Sequence, residues 1–180
     1  MEEMKRIDRV LKYKGAIVDV YDDVMQSPTG KIAHWDYIAH RKGAAAVLPV
    51  TEDGKILMVR QYRNALNRET LEIPAGSRDS VEEATSVCAA RELEEETGYK
   101  AANLELLITV STTVAFCNET IDVYLATDLT KTQQHLDEDE FVEVERYTIE
   151  ELKDMVLSQK IQDSKTAAAI MAYYGKYCIR

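Results

Sequence analysis

Glycine and proline are scarce in this chain, at 7 and 3 of 180 residues, and it has neither a low-complexity run nor an internal repeat. Those absences exclude a disordered or fibrous polypeptide. Long apolar runs are missing as well. The longest, AAAVLPV at 44–50, is far short of a bilayer span. The opening MEEMKRIDRV lacks the apolar core of a leader peptide, so a cytoplasmic protein with no membrane attachment is expected. Cysteine is limited to Cys88, Cys117 and Cys178, an odd and widely spaced set that suits reduced thiols better than disulfides or a zinc site. In that context the glycosylation-like tripeptide Asn118-Glu119-Thr120 is a chance match. Positive charge is also short, with 22 Lys and Arg against 32 Asp and Glu and a net charge of −10. No basic stripe is present, which argues against a general nucleic-acid groove.

What the chain does have is enough apolar content, 46%, for one domain with a real core, or one domain with a small extension. An acidic protein can still bind an anionic ligand where metal ions screen its carboxylates and a few arginines are placed locally.

The N-terminal third reads as strands and turns. Ala16–Tyr21 and His34–His40 carry β-branched and aromatic residues around a turn-like Ser-Pro-Thr-Gly at 27–30. Ala44–Val50, a Thr-Glu-Asp-Gly turn and Lys55–Arg60 read as a hairpin. Leu71–Pro74 is expected as a short strand, followed by a loop over Ala75–Asp79. Ser80 with Glu83 forms a capping-box pattern ahead of strong helix formers, and Gly98 is placed to end that helix. Strands are expected over Leu104–Val110, Thr120–Ala126 and Phe141–Tyr147. Thr148 with Glu151 opens a second helix to about Gln159, and Ser164 is placed to cap a final alanine-rich one. Strands with interspersed helices make an α/β or α+β domain.

The segment RELEEETGY at 91–99 concentrates four glutamates near a helix end. Residues three and four apart on a helix are neighbours about 5–6 Å apart, so Glu92, Glu95 and Glu96 converge within about 100° of the circumference. Glu94 points almost oppositely, and Leu93 faces the core. Like charges at this spacing weaken a helix, and the C-terminal end is the wrong end for them. A hard divalent cation such as Mg²⁺ or Mn²⁺ would reverse that sign. The plain alternative is a solvated acidic strip.

Residues 76–99 decide between them. Gly76, Glu83, Arg91, Glu92, Leu93, Glu95, Glu96, Gly98 and Tyr99 resemble the Nudix box, Gx5Ex7REUxEExGU. One departure is visible: six residues, not five, separate Gly76 from Glu83, an insertion that falls in a loop. The resemblance implies a Nudix α/β/α sandwich with a mixed sheet over 41–180, preceded by a β-rich extension at 1–40 used for dimerisation. It implies metal ligation principally by Glu92 and Glu96, with the Ala75 carbonyl, with Glu95 as a further ligand or a close supporter, and with Arg91 fixing the carboxylate rotamers. Glu83 either orients this set or merely caps the helix.

Beyond the box, GKIAHWDYIAH, KGAAAVLPV, VRQYR, LEIPAG and LDEDEFVEV resemble ADP-ribose pyrophosphatases and related nucleotide-sugar hydrolases. That likeness implies Mg²⁺- or Mn²⁺-dependent cleavage of a nucleoside diphosphate linked to another group, first among them ADP-ribose, by a homodimer. Trp35 would stack on the nucleobase, or be a half-buried strand aromatic. Arg63, and less strongly Arg41, would meet the phosphate or distal ribose, or be surface ion pairs. Glu72 would reach substrate hydroxyls or a base edge, or make a structural hydrogen bond. Glu140, with Glu138 as alternate, would act as the catalytic carboxylate. Phe116 and Glu119 hold their places in the post-box loop, but Val114 stands where ADP-ribose-selective members typically carry proline, which leaves other nucleotide sugars open. A silent nucleotide sensor would be expected to have lost ligand carboxylates, and none is lost.

Overall fold

The structure, a computed structural model, describes residues 3–136 and 140–179. It separates into two compact units, one formed by the chain up to Gly43 with Ser111–Thr120 and the other by Ala44–Val110 with Ile121 onward. The first unit is an antiparallel sheet of β1 (Lys5–Lys14), β2 (Val18–Gln26) and β3 (Ile32–His40), paired in that order. The Ser27–Gly30 turn forms as expected, with Gly30 at φ 84° donating to the Ser27 carbonyl. Arg9 forks onto the buried Asp23 at 2.5 and 2.7 Å and lies 3.6 Å over the Tyr37 ring, tying β1 to its neighbours.

The second unit is a mixed α/β body built around β4 (Ala44–Pro49), buried at every residue. Such a continuous apolar run is what a strand covered on both faces requires. Alternate side chains enter opposite cores. Ala44, Ala46 and Leu48 pack with Leu152, Ala169 and Ile170, whereas Ala45 and Val47 pack with Cys88, Ala89 and Leu93. In its sheet β4 runs parallel to β9 (Thr120–Lys131) and antiparallel to β7 (Ala75–Ser77), giving the order β7-β4-β9-β8 with β8 at Tyr99–Ser111. A second sheet has the order β10-β5-β6, from Val142–Tyr147, Ile56–Arg63 and Arg68–Glu72. Three α-helices complete the unit: α1 (Thr85–Thr97), α2 (Ile149–Leu157) and α3 (Ser164–Tyr173), the last ending in a π turn. Among the described residues no helix is long and apolar enough to cross a membrane.

The loop expected at Ala75–Asp79 begins instead as strand β7, paired with β4, and three further sequence expectations change. The 51–54 turn forms, with Thr51 N–H on the Lys55 carbonyl, yet only the bridge Val50↔Ile56 joins its arms. β4 and β5 belong to different sheets, because Ala44–Pro49 and the start of β5 are apolar on both faces and carry no alternation to hold a mutual register. Helix α1 starts five residues after Ser80, with Ala84 as its uncapped N-cap. The Ser80 hydroxyl accepts from the Glu82 and Glu83 N–H groups, and the Glu83 carboxylate accepts from Asp79 N–H at 2.6 Å. These local bonds stabilise a turn that competes with the helix. At α3 the cap is Asp163, which accepts from Thr166 N–H, in place of Ser164. The Thr148–Glu151 capping box opens α2 as expected.

Candidate active site

Helix α1 lays one face on β4 and carries its glutamates along the edge facing β7. Leu93 is fully buried, and that anchoring draws its neighbours Glu92 and Glu96 inward, to 8% and 3% exposure. Glu96 accepts the Ala75 N–H at 3.0 Å, so the glutamate edge of α1 and the LEIPAG segment meet here. Glu95 is more open, and Glu94 turns away to pair with Lys100 at 3.1 Å. Gly98 closes the helix at φ 71°, its N–H on the Glu94 carbonyl, as the sequence predicts.

Arg91 organises the carboxylates. Its Nη1 donates to Glu92 at 2.8 Å and Glu95 at 2.7 Å, its Nη2 to the Ser77 carbonyl at 3.0 Å, and its Nε approaches Glu83 at 3.5 Å. Glu83 is not a helix cap; it fastens the loop at Asp79 and meets Arg91. On the other side, Gly76 leaves just the room that the Glu92 carboxylate fills: a Cβ at that position would overlap it.

Burial pushes the Glu92 carboxyl up to about 7, against the pull of Arg91. Burial, and then the charge of Glu92, push Glu96 up to about 8. The charge of Glu140 adds to the upward push on both. Buried, mutually repelling oxygens of this kind fit a hard divalent cation that takes one or two carboxylates and completes its shell with phosphate and water. Among the described residues no three His, Cys, Asp or Glu side chains form a ready-made cage. Arg91 instead bridges Glu92 and Glu95 through its Nη1.

A second cluster adjoins the first. Arg63, at the end of β5, forks onto the Glu72 carboxylate of β6 through Nε at 2.7 Å and Nη2 at 2.6 Å. Its positive charge also acts on Glu96. Burial alone would raise the Glu72 carboxyl, but Arg63, Lys165 and Thr70 together hold it at about 2.

Residues 40–170 match the model of the NUDIX domain family. The chain belongs to this family. Among relatives, it is 42% identical to the ADP-ribose pyrophosphatase of Bacillus subtilis (strain 168), over 93% of this chain and 91% of that protein. It is 38% identical to the methanol dehydrogenase activator of Bacillus methanolicus, again over 93% and 91%. Against the ADP-ribose pyrophosphatase of Mycobacterium tuberculosis (strain ATCC 25618 / H37Rv) the identity is 33%, over 91% and 79%. The crystal structure of an ADP compounds hydrolase superposes with a TM-score of 0.87 over 99% of this chain and 98% of that one; at 17% identity it speaks for the fold alone.

Within the Nudix unit the structure brings together Glu83, Arg91, Glu92, Glu95, Glu96 and Ala75, with the Arg63–Glu72 pair alongside, and the Glu140 charge acts on Glu92 and Glu96. Glu138 lies outside the described residues. Trp35 and Arg41 belong to the first unit. Trp35 sits on β3 opposite Asp23 and is half exposed. The Arg41 guanidinium binds Asp19 and the Gly15 and Ala16 carbonyls, bracing the β1–β2 turn.

Three residues that sequence reading passed over contribute here. Gln134 donates to the Glu96 carbonyl at 2.7 Å, and the His135 N–H to the Glu95 carbonyl at 3.0 Å, so the segment leading toward Glu140 is fastened to the end of α1. Lys165 donates to Glu72. Its signal was electrostatic: a lysine in the first turn of a helix opposes the helix dipole unless a carboxylate offsets it.

Proposed function

We propose that this Nudix chain is a divalent-metal-dependent hydrolase of ADP-ribose, yielding AMP and ribose 5-phosphate. The observation that carries the reading is the buried Glu92–Glu96 pair beside Ala75, within reach of the Arg63 charge. Two relatives named ADP-ribose pyrophosphatase support the choice of substrate. Glu92, Glu96, Glu95 and the Ala75 carbonyl would hold Mg²⁺ or Mn²⁺. Bound there, the metal supplies charge neutralisation of the diphosphate and a more acidic water. Glu140, with Glu138 as alternate, would be the carboxylate that takes up the proton of the attacking water. Arg91 keeps the ligand carboxylates in place, helped by Glu83. Arg63 meets a phosphate or the distal ribose, with Glu72 holding it there, and Trp35 stacks on the base; Arg41, whose guanidinium is held by Asp19 and the Gly15 and Ala16 carbonyls, is the weaker candidate for a phosphate or ribose contact.

The second reading, another nucleoside diphosphate sugar, rests on Val114, which is 84% exposed in its loop. A screen of ADP-ribose, ADP-glucose, GDP-mannose and UDP-glucose with Mg²⁺ and product identification separates the two. AMP released fastest from ADP-ribose is expected. Faster cleavage of another member would shift the substrate, and no cleavage of any would leave only a nucleotide sensor.

We further propose that the first unit joins two copies of the chain. Ile7, Leu11, Tyr13, Ile17, Ile32 and Trp35 are all exposed on it, more apolar surface than a small sheet leaves open to water. Light scattering should give twice the 20.4 kDa chain mass. A monomer mass at micromolar concentration would remove the proposal.

A further inference from the structure

Glu72 has every acceptor position filled. Oε1 receives Arg63 Nε at 2.7 Å and the Thr70 hydroxyl at 2.6 Å. Oε2 receives Arg63 Nη2 at 2.6 Å and Lys165 Nζ at 2.5 Å. A carboxylate has about four lone-pair sites, so Glu72 is committed to its neighbours. The two parallel bonds to Arg63 fix the plane of the guanidinium and turn its remaining edge, Nη1, away from Glu72.

The row Lys165–Glu72–Arg63 runs from inside to outside. The side chains of Lys165 and Glu72 are 10% and 3% exposed, and that of Arg63 is 40% exposed. Lys165 is itself held by Asp163 at 2.9 Å, the residue that caps α3. The next residue, Thr166, accepts the Ile73 N–H at 3.0 Å. The first turn of α3 thus grips residues 72 and 73, two positions ahead of the Ala75 N–H that binds Glu96. A buried ion pair is weak evidence for stability, since apolar packing serves as well or better. Here the charges also balance: Lys165 and Arg63 offset Asp163 and Glu72. Without Lys165 the cluster becomes net negative beside the one residue turned outward, which disfavours an anionic diphosphate.

We propose that Lys165 is a positioning residue that acts through Glu72 to orient the Arg63 guanidinium and keep its surroundings electrically neutral, and so sets substrate affinity rather than the chemical step. This rests on the reading of Arg63 as a substrate contact. The test is a double-mutant cycle on AMP release from ADP-ribose at saturating Mg²⁺. Lys165→Met should raise KM by about tenfold or more with kcat changed by no more than about threefold, a split that marks lost binding of ground and transition state alike. In an Arg63→Ala background the same substitution should shift KM by less than about twofold, because residues acting as one unit are not additive. Lys165→Arg, which keeps the charge and the donor, should recover most of the loss, and Mn²⁺ affinity should match the wild type in both Lys165 variants.

An equal KM rise in both backgrounds, a fall confined to kcat, or a wild-type KM would each overturn the proposal. If Lys165→Met does not fold, Thr70→Val removes another Glu72 donor at constant shape and carries the same cycle with the same outcomes. Failure of the substrate reading is visible separately, as absent AMP release by the wild type. The cycle then runs on whichever nucleotide sugar the wild type cleaves, and cleavage of none overturns both readings.

Discussion

Glu96→Gln should abolish turnover and leave the protein as stable as before, or more so. The wild-type side chain is 3% exposed, and burial, with the charges of Glu92 and Glu140, makes its ionisation costly in the metal-free protein. Glutamine has the same shape, carries no charge, and its amide oxygen can still accept the Ala75 N–H. What it lacks is the charge that binds a hard cation. Metal-assisted charge stabilisation is worth several kcal/mol, so kcat should fall on the order of a thousandfold. A ligand that binds only the folded state raises the melting temperature, so Mg²⁺ should shift the wild type upward and leave the variant unmoved. Near-wild-type kcat at saturating Mg²⁺ would contradict the metal assignment.

Gly76→Ala comes next in expected effect, and for a different reason. Gly76 has no unusual φ; its constraint is space, because a methyl group there would overlap the Glu92 carboxylate. That carboxylate is the free end of a side chain, so the fold can accommodate the methyl by letting Glu92 swing aside. The cost then falls on the site, where a displacement of about 1 Å can reduce rate about a hundredfold. We expect kcat reduced by about that factor, weaker Mn²⁺ binding by electron paramagnetic resonance, and a melting temperature within a few degrees of the wild type. Unchanged kcat would show that Glu92 is not where the chemistry needs it.

The two substitutions also mark what the sequence could and could not disclose. Helical spacing alone separated Glu92, Glu95 and Glu96 from Glu94, because that geometry is local to a helix. Nothing local announces that Gly76 leaves room for Glu92, or that Lys165 reaches back across 93 positions to Glu72. The hairpin expected at 44–60 failed for the same reason: its turn is local, while the partners of β4 and β5 are chosen by burial on both faces. The capping pattern at Ser80 was present, but hydrogen bonds within 78–83 drew its groups into a turn. The extra residue between Gly76 and Glu83 therefore lies in a braced loop, and the box downstream of it keeps its spacing.

The path of β4 also bears on how the protein is made. Its parallel register, from Ala44↔Ile121 to Pro49↔Ala126, joins segments with α1 and β8 between them, and such non-local pairing closes slowly. Ala126 completes the core on which Leu93 rests, and Leu93 draws Glu92 and Glu96 out of water. The native burial of the carboxylate edge therefore depends on the β4–β9 pairing. A chain still emerging from synthesis carries the whole RELEEETGY segment before it has any means of using it.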